Sequence, residues 1–175
     1  MKIQKERGCL SLDEEATTYV FDATDMVIGR LASHVAKILL NGQKDGTLDR
    51  VIITNAESAV VSGSKKAVFA TYRKKYELNH ARKGPFFPRM PDKILKRTVR
   101  GMLPYQKKSS GRAALRNLRV VMGCPNHLVT GELPEGHERG DMSKLTRPLP
   151  QRYVRLGKIS ENLGAPAGRV AGGDF

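Results

Sequence analysis

The first half of the chain carries short apolar runs on either side of one helical apolar stripe, in the order strand, helix, strand. The run Tyr19–Phe21 predicts a strand that ends at Asp22, and Val51–Ile53 predicts a second strand. A continuous β-branched run such as the second is typical of a strand buried on both faces of a parallel sheet. The two strands and the helix between them predict a βαβ unit with a right-handed crossover.

The helix between these strands is predicted over about 28–40. Asp25 is the expected N-cap, and Asn41-Gly42 is the expected stop because both residues tolerate the left-handed conformation. One helix face gathers Arg30, Ser33, His34 and Lys37. The other face is apolar and consists of Ile28, Leu31, Ala32, Val35, Ala36 and Leu39.

Ala59–Val61 follows the second strand too closely to be its parallel neighbour, so a short edge piece or a turn is predicted. A second helix is predicted over about 64–76, opening on Ser62-Gly63-Ser64-Lys65-Lys66. Free backbone N–H groups and the helix dipole at such an opening suit a phosphate. The same pattern is equally consistent with a capped helix whose lysines are solvated.

The segment 79–91 contains three prolines and a glycine, which exclude a helix. A loop of this length inside a small domain is usually functional. Cations flank Phe86 and Phe87, and these rings either take part in a surface or fold back onto the core. The sequence leaves both alternatives open.

A third helix is predicted to begin at Pro91, with Asp92 in its first turn. Its apolar stripe is predicted as Leu95, Val99 and Met102, and its end over 101–104. The opposite side is cationic and almost free of carboxylates, so salt bridges within the helix do not explain it. The cations of this side are Lys93, Lys96, Arg97 and Arg100.

Beyond this helix, Lys107–Gly111 is predicted to be a flexible basic link. The next helix is predicted to carry Arg112, Arg116 and Arg119 on one side and to turn Ala114, Leu115 and Leu118 inward. Val120–Met122 is predicted to be the last core strand. After it the chain is dense in Gly and Pro, with an extended piece over 153–159 and one helical turn over 160–163.

Positive charge is confined to one part of the chain. Residues 73–119 carry 15 cations against two carboxylates, a net +13 of the +14 on all 175 residues. Such a concentrated field predicts a polyanionic partner, with nucleic acid first and an anionic membrane surface second. The membrane is disfavoured because interfacial helices expose bulky apolar residues, whereas these helices carry ordinary core stripes.

Composition adds limits on the class of protein. The chain is long enough for one domain, and its two cysteines are expected to be reduced thiols. It shows no signal peptide and no apolar run that could cross a bilayer, so a soluble, cytoplasmic protein is expected.

An enzyme is not predicted. The four histidines are scattered, Cys124 and His127 form only half of a metal site, and the basic segment lacks the acids that Mg²⁺ needs. The glycine patterns of nucleotide-binding and methyltransferase-type cofactor loops are absent. We therefore expect no metal, no cofactor and no small-molecule substrate.

Five separate motifs in the right order resemble one family. They are Asp22-Ala23-Thr24, Ile28-Gly29-Arg30-Leu31-Ala32-Ser33, Asn55-Ala56-Glu57, Ser62-Gly63-Ser64-Lys65 and Val99-Arg100-Gly101-Met102-Leu103-Pro104. The chain resembles large-subunit ribosomal protein 13, and Arg82-Lys83-Gly84-Pro85-Phe86-Phe87 resembles its archaeal and eukaryotic branch. The resemblance covers about 19–127.

The resemblance implies an α/β fold, a three-layer α/β/α architecture with a small, mainly parallel four-stranded sheet. The α/β domain is expected over 19–127. Residues 1–18 lie outside the resemblance and are expected to be an N-terminal extension, and the Gly/Pro-rich tail over 128–175, which matches only loosely, is expected to pack on the domain or on rRNA. The resemblance also implies a structural role in the large subunit, with large-subunit rRNA and neighbouring ribosomal proteins as partners.

Charge and resemblance together predict RNA contacts by cations on four stretches of the chain. These residues are Arg30, Lys65, Lys66, Arg73, Lys74, Lys75, Arg82, Lys83, Arg89, Lys93, Lys96, Arg97, Arg100, Lys107, Lys108, Arg112 and Arg116.

Overall fold

A computed structural model describes residues 16–129, 133–143 and 145–170, and the predicted extension over 1–18 falls almost entirely outside them. The strands are β1 Thr18–Asp22, β2 Arg50–Thr54, β3 Val60–Ser62, β4 Leu118–Val120, β5 His137–Arg139 and β6 Tyr153–Arg155. The helices are α1 Ile28–Asp45, α2 Lys65–Glu77, α3 Pro91–Met102, α4 Ser109–Arg116, α5 Asn126–Val129, α6 Leu156–Asn162 and α7 Ala167–Val170. A short 3-10 turn, Ala56–Ser58, follows β2.

Four strands form one parallel sheet in the order β4-β2-β1-β5. The two central strands are the predicted pair, and Tyr19 is in register with Val51. The α/β fold with a mainly parallel four-stranded sheet is therefore confirmed. The predicted short edge piece is β3, which pairs antiparallel with β6 in a separate two-stranded sheet.

The sheet has helical or loop segments on both faces, as a three-layer architecture requires. Phe21 and Ile53 point to one face and are fully buried in the same core as Leu31 of α1 and Leu95 of α3. On the other face, Val20 lines a cavity together with Leu128 of α5 and Met142. The core thus lies mainly between the sheet and the layer of α1 and α3.

The apolar stripe of α1 is buried as predicted, but both ends of the helix differ from the prediction. The N-cap is Val27, and Asp25 instead adopts a left-handed conformation and accepts a hydrogen bond from Arg155. The helix continues through Gly42, against which the side chain of Asp49 packs, and it ends at Gly46 with φ of 83°. Gly42 is thus a site of close packing inside the helix, and Gly46 supplies the left-handed turn.

Three details of the following helices correct the prediction. Met102 is 41% exposed, and Ile94 lies in the core with Leu95 and Val99. The presumed flexible link is shorter than predicted because α4 already begins at Ser109. Arg119 is not on α4 at all, because the chain has by then entered β4.

The C-terminal part completes the fold. Val120 ends β4, but β4 is not the last core strand, because β5 adds beside β1. The piece predicted as extended over 153–159 is extended only as far as Arg155 and then becomes α6. Leu156 and Ile159 of α6 are fully buried in the core.

Candidate nucleic-acid interface

The cationic side of α3 lines one groove. Lys93, Lys96, Arg97 and Arg100 are spaced at i, i+3, i+4 and i+7, which places them on one helix face. The groove measures about 300 Å³, and its remaining lining residues are Phe86, Pro88 and Leu115. No carboxylate lines it within the described part of the chain. The predicted grouping of these four cations is thus what the geometry shows.

Three of these cations are positioned by contacts within the protein. The Lys96 ammonium donates a 2.8 Å hydrogen bond to the carbonyl of Leu118 in β4. The Arg100 guanidinium lies 5.1 Å from the centre of the Tyr105 ring. Arg97 donates a 2.8 Å hydrogen bond to the carbonyl of Phe86, in the loop that precedes α3. A guanidinium has five N–H donors, so an arginine with one internal contact keeps donors for a ligand.

A second groove of about 560 Å³ adjoins the first. Phe86, Pro88 and Lys93 line both. The second groove adds two cations, Arg89 and Arg169, and the Arg89 guanidinium lies 5.9 Å from the centre of the Tyr76 ring. The two grooves therefore form one continuous positive surface, which we call the α3 surface: Phe86, Pro88, Arg89, Lys93, Lys96, Arg97, Arg100, Leu115 and Arg169.

Arg169 was not predicted as a site residue. It lies in α7, some 70 positions beyond α3, and no local motif marks it. It reaches the surface because the chain returns through α6, which packs against α3. Only the tertiary fold reveals this contribution.

The phenylalanines of the 79–91 loop take opposite positions. Phe87 packs against the core and meets Tyr72 edge to face, with ring centres 6.0 Å apart. Phe86 is 64% exposed. One ring thus follows each alternative that the sequence left open.

The cations of α2 are exposed. Lys75 lies 5.0 Å from the centre of the Tyr72 ring and shares a neighbouring groove with Arg97. Arg73 forms an ion pair of 2.9 Å with Glu77, so part of its charge is compensated.

Burial raises the pKa of the Tyr72 phenol above its ordinary value.

The predicted opening of α2 has the capped geometry. The Ser64 hydroxyl accepts a hydrogen bond of 3.4 Å from the Ala67 N–H, and Gly63 has φ of 131°. Lys65 lies 5.6 Å from the centre of the Phe69 ring. This arrangement agrees with a capped helix, and a phosphate at this position stays a prediction.

The other predicted cations do not line the two grooves of the α3 surface. All of them are exposed, and they lie in the first turn of α1, on α2, in the loop before α3, and in or just before α4. They are Arg30, Lys65, Lys66, Arg73, Lys74, Lys75, Arg82, Lys83, Lys107, Lys108, Arg112 and Arg116. Arg112 donates a 3.4 Å hydrogen bond to the Tyr105 carbonyl.

The described residues include no cluster of three or more His, Cys, Asp or Glu side chains that could hold a metal ion. Within the same ranges, no helix is both long and apolar enough to cross a bilayer.

Comparisons with known proteins agree with the motifs. A family model described as ribosomal protein L13 matches residues 16–127. The large ribosomal subunit protein uL13 of Archaeoglobus fulgidus is 43% identical over 164 residues, which cover 94% of this chain and 97% of that protein. The proteins of the same name from Methanococcoides burtonii and Halobacterium salinarum are 44% and 42% identical, over 83% and 89% of this chain and 97% of each relative.

Proposed function

The chain belongs to the ribosomal protein L13 family, and from that membership we propose that it is a structural constituent of the large ribosomal subunit. In this role it binds large-subunit rRNA, supports assembly of the subunit in the cytoplasm and lies beside other large-subunit proteins. The names of the relatives support only the first part of this proposal, because they describe those proteins as large ribosomal subunit proteins.

The observation that carries the rRNA assignment is the α3 surface. Four cations of α3 line one groove, and no carboxylate among the described residues lines it with them. The groove lies within the stretch 73–119, which has a net charge of +13 from 15 cations and two carboxylates. Uncompensated cations on one face repel each other, and an RNA backbone relieves that repulsion by supplying phosphates.

The proposed mechanism is phosphate neutralisation with recognition of RNA shape. Contacts to phosphates fix the position and orientation of a protein on folded RNA without reading its sequence. Arginine suits this task because its planar guanidinium binds two phosphate oxygens at once. Arg97 and Arg100 are already oriented by internal contacts, so little of their side-chain freedom remains to be lost on binding.

The full set of proposed contacts has a centre and a periphery. The centre is the α3 surface with Arg89, Lys93, Lys96, Arg97 and Arg100. The periphery is Arg30 in the first turn of α1 and the exposed cations on α2, in the loop before α3 and around α4, which extend the positive field and contact RNA that reaches beyond the groove. We propose a structural role without catalysis, and turnover of labelled rRNA by the purified protein, with Mg²⁺ or S-adenosylmethionine, would overturn it.

The test is the salt dependence of binding to transcripts of large-subunit rRNA. If about half of the 15 cations reach phosphates, log K should fall against log salt with a slope of roughly −5, at about −0.7 per contact. Replacing Lys93, Arg97 and Arg100 with alanine should weaken binding and make the slope shallower by roughly 2.

The matched control removes the same charge elsewhere. Lys37, Lys44 and Lys158 are exposed and lie on α1 and α6, outside the α3 surface. Their triple alanine variant should leave the slope close to that of the unchanged protein. A slope near zero for the unchanged protein, or equal losses in the two triple variants with circular dichroism showing both folded, contradicts the proposal.

A further inference from the structure

Phe86 is an exposed aromatic ring at the centre of a cationic surface. Its side chain is 64% exposed, and it lines both grooves of the α3 surface together with Lys93. Its neighbour Phe87 packs against the core and so already anchors the loop to it through an apolar side chain. The exposure of Phe86 therefore has no explanation in the packing of this chain.

The backbone that carries this ring is held in place by its surroundings. The Phe86 carbonyl accepts a 2.8 Å hydrogen bond from Arg97 of α3. The ring lies back over Gly84, where a β-carbon would come within 3.1 Å of the ring atoms. The backbones of His80 and Gly84 exchange two hydrogen bonds, of 3.2 and 2.9 Å, which close the loop on itself. A loop backbone fixed in this way presents the ring to a partner with less ordering left to do on binding.

The surroundings define the chemistry of the partner. Lys93 and Arg100 line the same groove as the ring, and no described carboxylate joins them. A partner that fits must offer negative charge within a few ångströms of a flat apolar face. An unpaired nucleotide of RNA has both features, because its base stacks on aromatic rings and its phosphates bind cations.

We propose that Phe86 stacks against one unpaired base of the bound RNA while Lys93 and Arg100 bind the flanking phosphates. This inference rests on the proposed function and makes it more specific: the protein reads RNA shape through phosphates and also marks one nucleotide that is free of base pairing. Stacking on a ring is sequence-tolerant, so the site selects an extruded base without selecting which base it is.

The test uses two RNA hairpins of equal length and charge. One contains a single bulged fluorescent adenine analogue, and the other is fully paired. Replacing Phe86 with alanine should weaken binding to the bulged hairpin by roughly 5-fold to 100-fold and leave binding to the paired hairpin unchanged. Phe86→Trp should retain the affinity and the quenching of the fluorescent base, whereas Phe86→Leu should lose the quenching.

Controls separate this site from folding and from the general RNA affinity. Leu149→Ala removes another exposed apolar side chain, 39% exposed, that is not part of the α3 surface, and it should behave as the unchanged protein. Thermal unfolding of each variant should equal that of the unchanged protein, because the side chains of Phe86 and Leu149 are both exposed.

Each alternative result has a distinct meaning. If the unchanged protein binds neither hairpin and no rRNA transcript, the proposed function itself fails. If it binds both with the expected salt dependence and Phe86→Ala changes nothing, only the stacking inference fails. Equal losses of affinity on both hairpins, or undiminished quenching of the fluorescent base by Phe86→Leu, would each overturn stacking as well.

Discussion

The guanidinium of Arg97 donates a 2.8 Å hydrogen bond to the backbone carbonyl of Phe86. The same guanidinium lies 5.0 Å from the centre of the Phe87 ring. One side chain of α3 thus binds both phenylalanines of a loop that has no regular secondary structure. Arg97 therefore positions the loop that forms one wall of the groove, in addition to contributing charge to it.

Replacing Arg97 with alanine should loosen this loop. We expect a loss of about 1 kcal/mol in the free energy of unfolding, from one hydrogen bond to a charged group and one cation–π contact at a partly exposed site. Trypsin should cleave faster after Arg82 and Lys83 of the loop. Urea titration and timed digestion measure the two effects.

Lys93→Ala is the matched control for Arg97→Ala. It removes the same charge from the same helix face, but Lys93 is exposed and has no hydrogen bond or ring contact within the described part of the protein. Its stability and digestion rate should equal those of the unchanged protein. Identical digestion of the two variants would show that Arg97 does not hold the loop.

Two glycines in neighbouring helices test how the space around a glycine decides the effect of an added methyl group on stability. A β-carbon on Gly111 of α4 would lie 2.6 Å from the backbone carbon of Pro104, so α4 would have to move. Gly111→Ala should destabilise the fold by about 1–3 kcal/mol. Gly101 of α3 has open space around it, and Gly101→Ala should stabilise by roughly 0.5–1 kcal/mol through helix propensity. Thermal unfolding of both variants checks this contrast, and equal effects would contradict it.

Periodicity predicted the elements that pack through one regular stripe. Every residue of the predicted α1 stripe is buried, and the i, i+3, i+4, i+7 spacing on α3 placed its four cations in one groove. Local patterns were wrong at the helix ends. Gly42 reads as a helix stop, but Asp49 packs against it and the helix continues to Asp45. Met102 fits the stripe of α3 by spacing, but it is the last residue of the helix and its side chain is 41% exposed.

The parts that sequence reasoning missed are formed by contacts distant in the chain. β5 has only three residues and becomes a strand through pairing with β1, more than 110 positions earlier. Arg169 joins the α3 surface in the same way, through the packing of the C-terminal part on α3. Short segments with little periodicity carry no local signal of such contacts.

The C-terminal part should be necessary for stability. Ile159 of α6 is fully buried in the same core as α1 and α3. Replacing it with alanine removes three methyl or methylene groups from that core and should cost about 2–5 kcal/mol in the free energy of unfolding. The adjacent Lys158 is exposed, and Lys158→Ala should change stability by less than about 0.5 kcal/mol. Urea unfolding compares them, and a small effect at Ile159 would mean that the segment beyond 127 folds independently of the core.

Tyr72 of α2 should make the fold sensitive to high pH. Burial raises the pKa of its phenol, so the folded protein retains this proton at pH values where the unfolded chain releases it. Its contribution to stability is therefore complete below the ordinary tyrosine pKa of about 10 and is lost as the pH rises through the folded value. Above pH ~10, the stability of Tyr72→Phe should fall less steeply than that of the unchanged protein, by up to about 1.4 kcal/mol per pH unit for one proton. Urea unfolding at a series of pH values measures the difference, and Tyr153→Phe is the control for loss of an exposed phenol. Parallel curves for Tyr72→Phe and the unchanged protein would show that the Tyr72 phenol is not protected from water in the folded state.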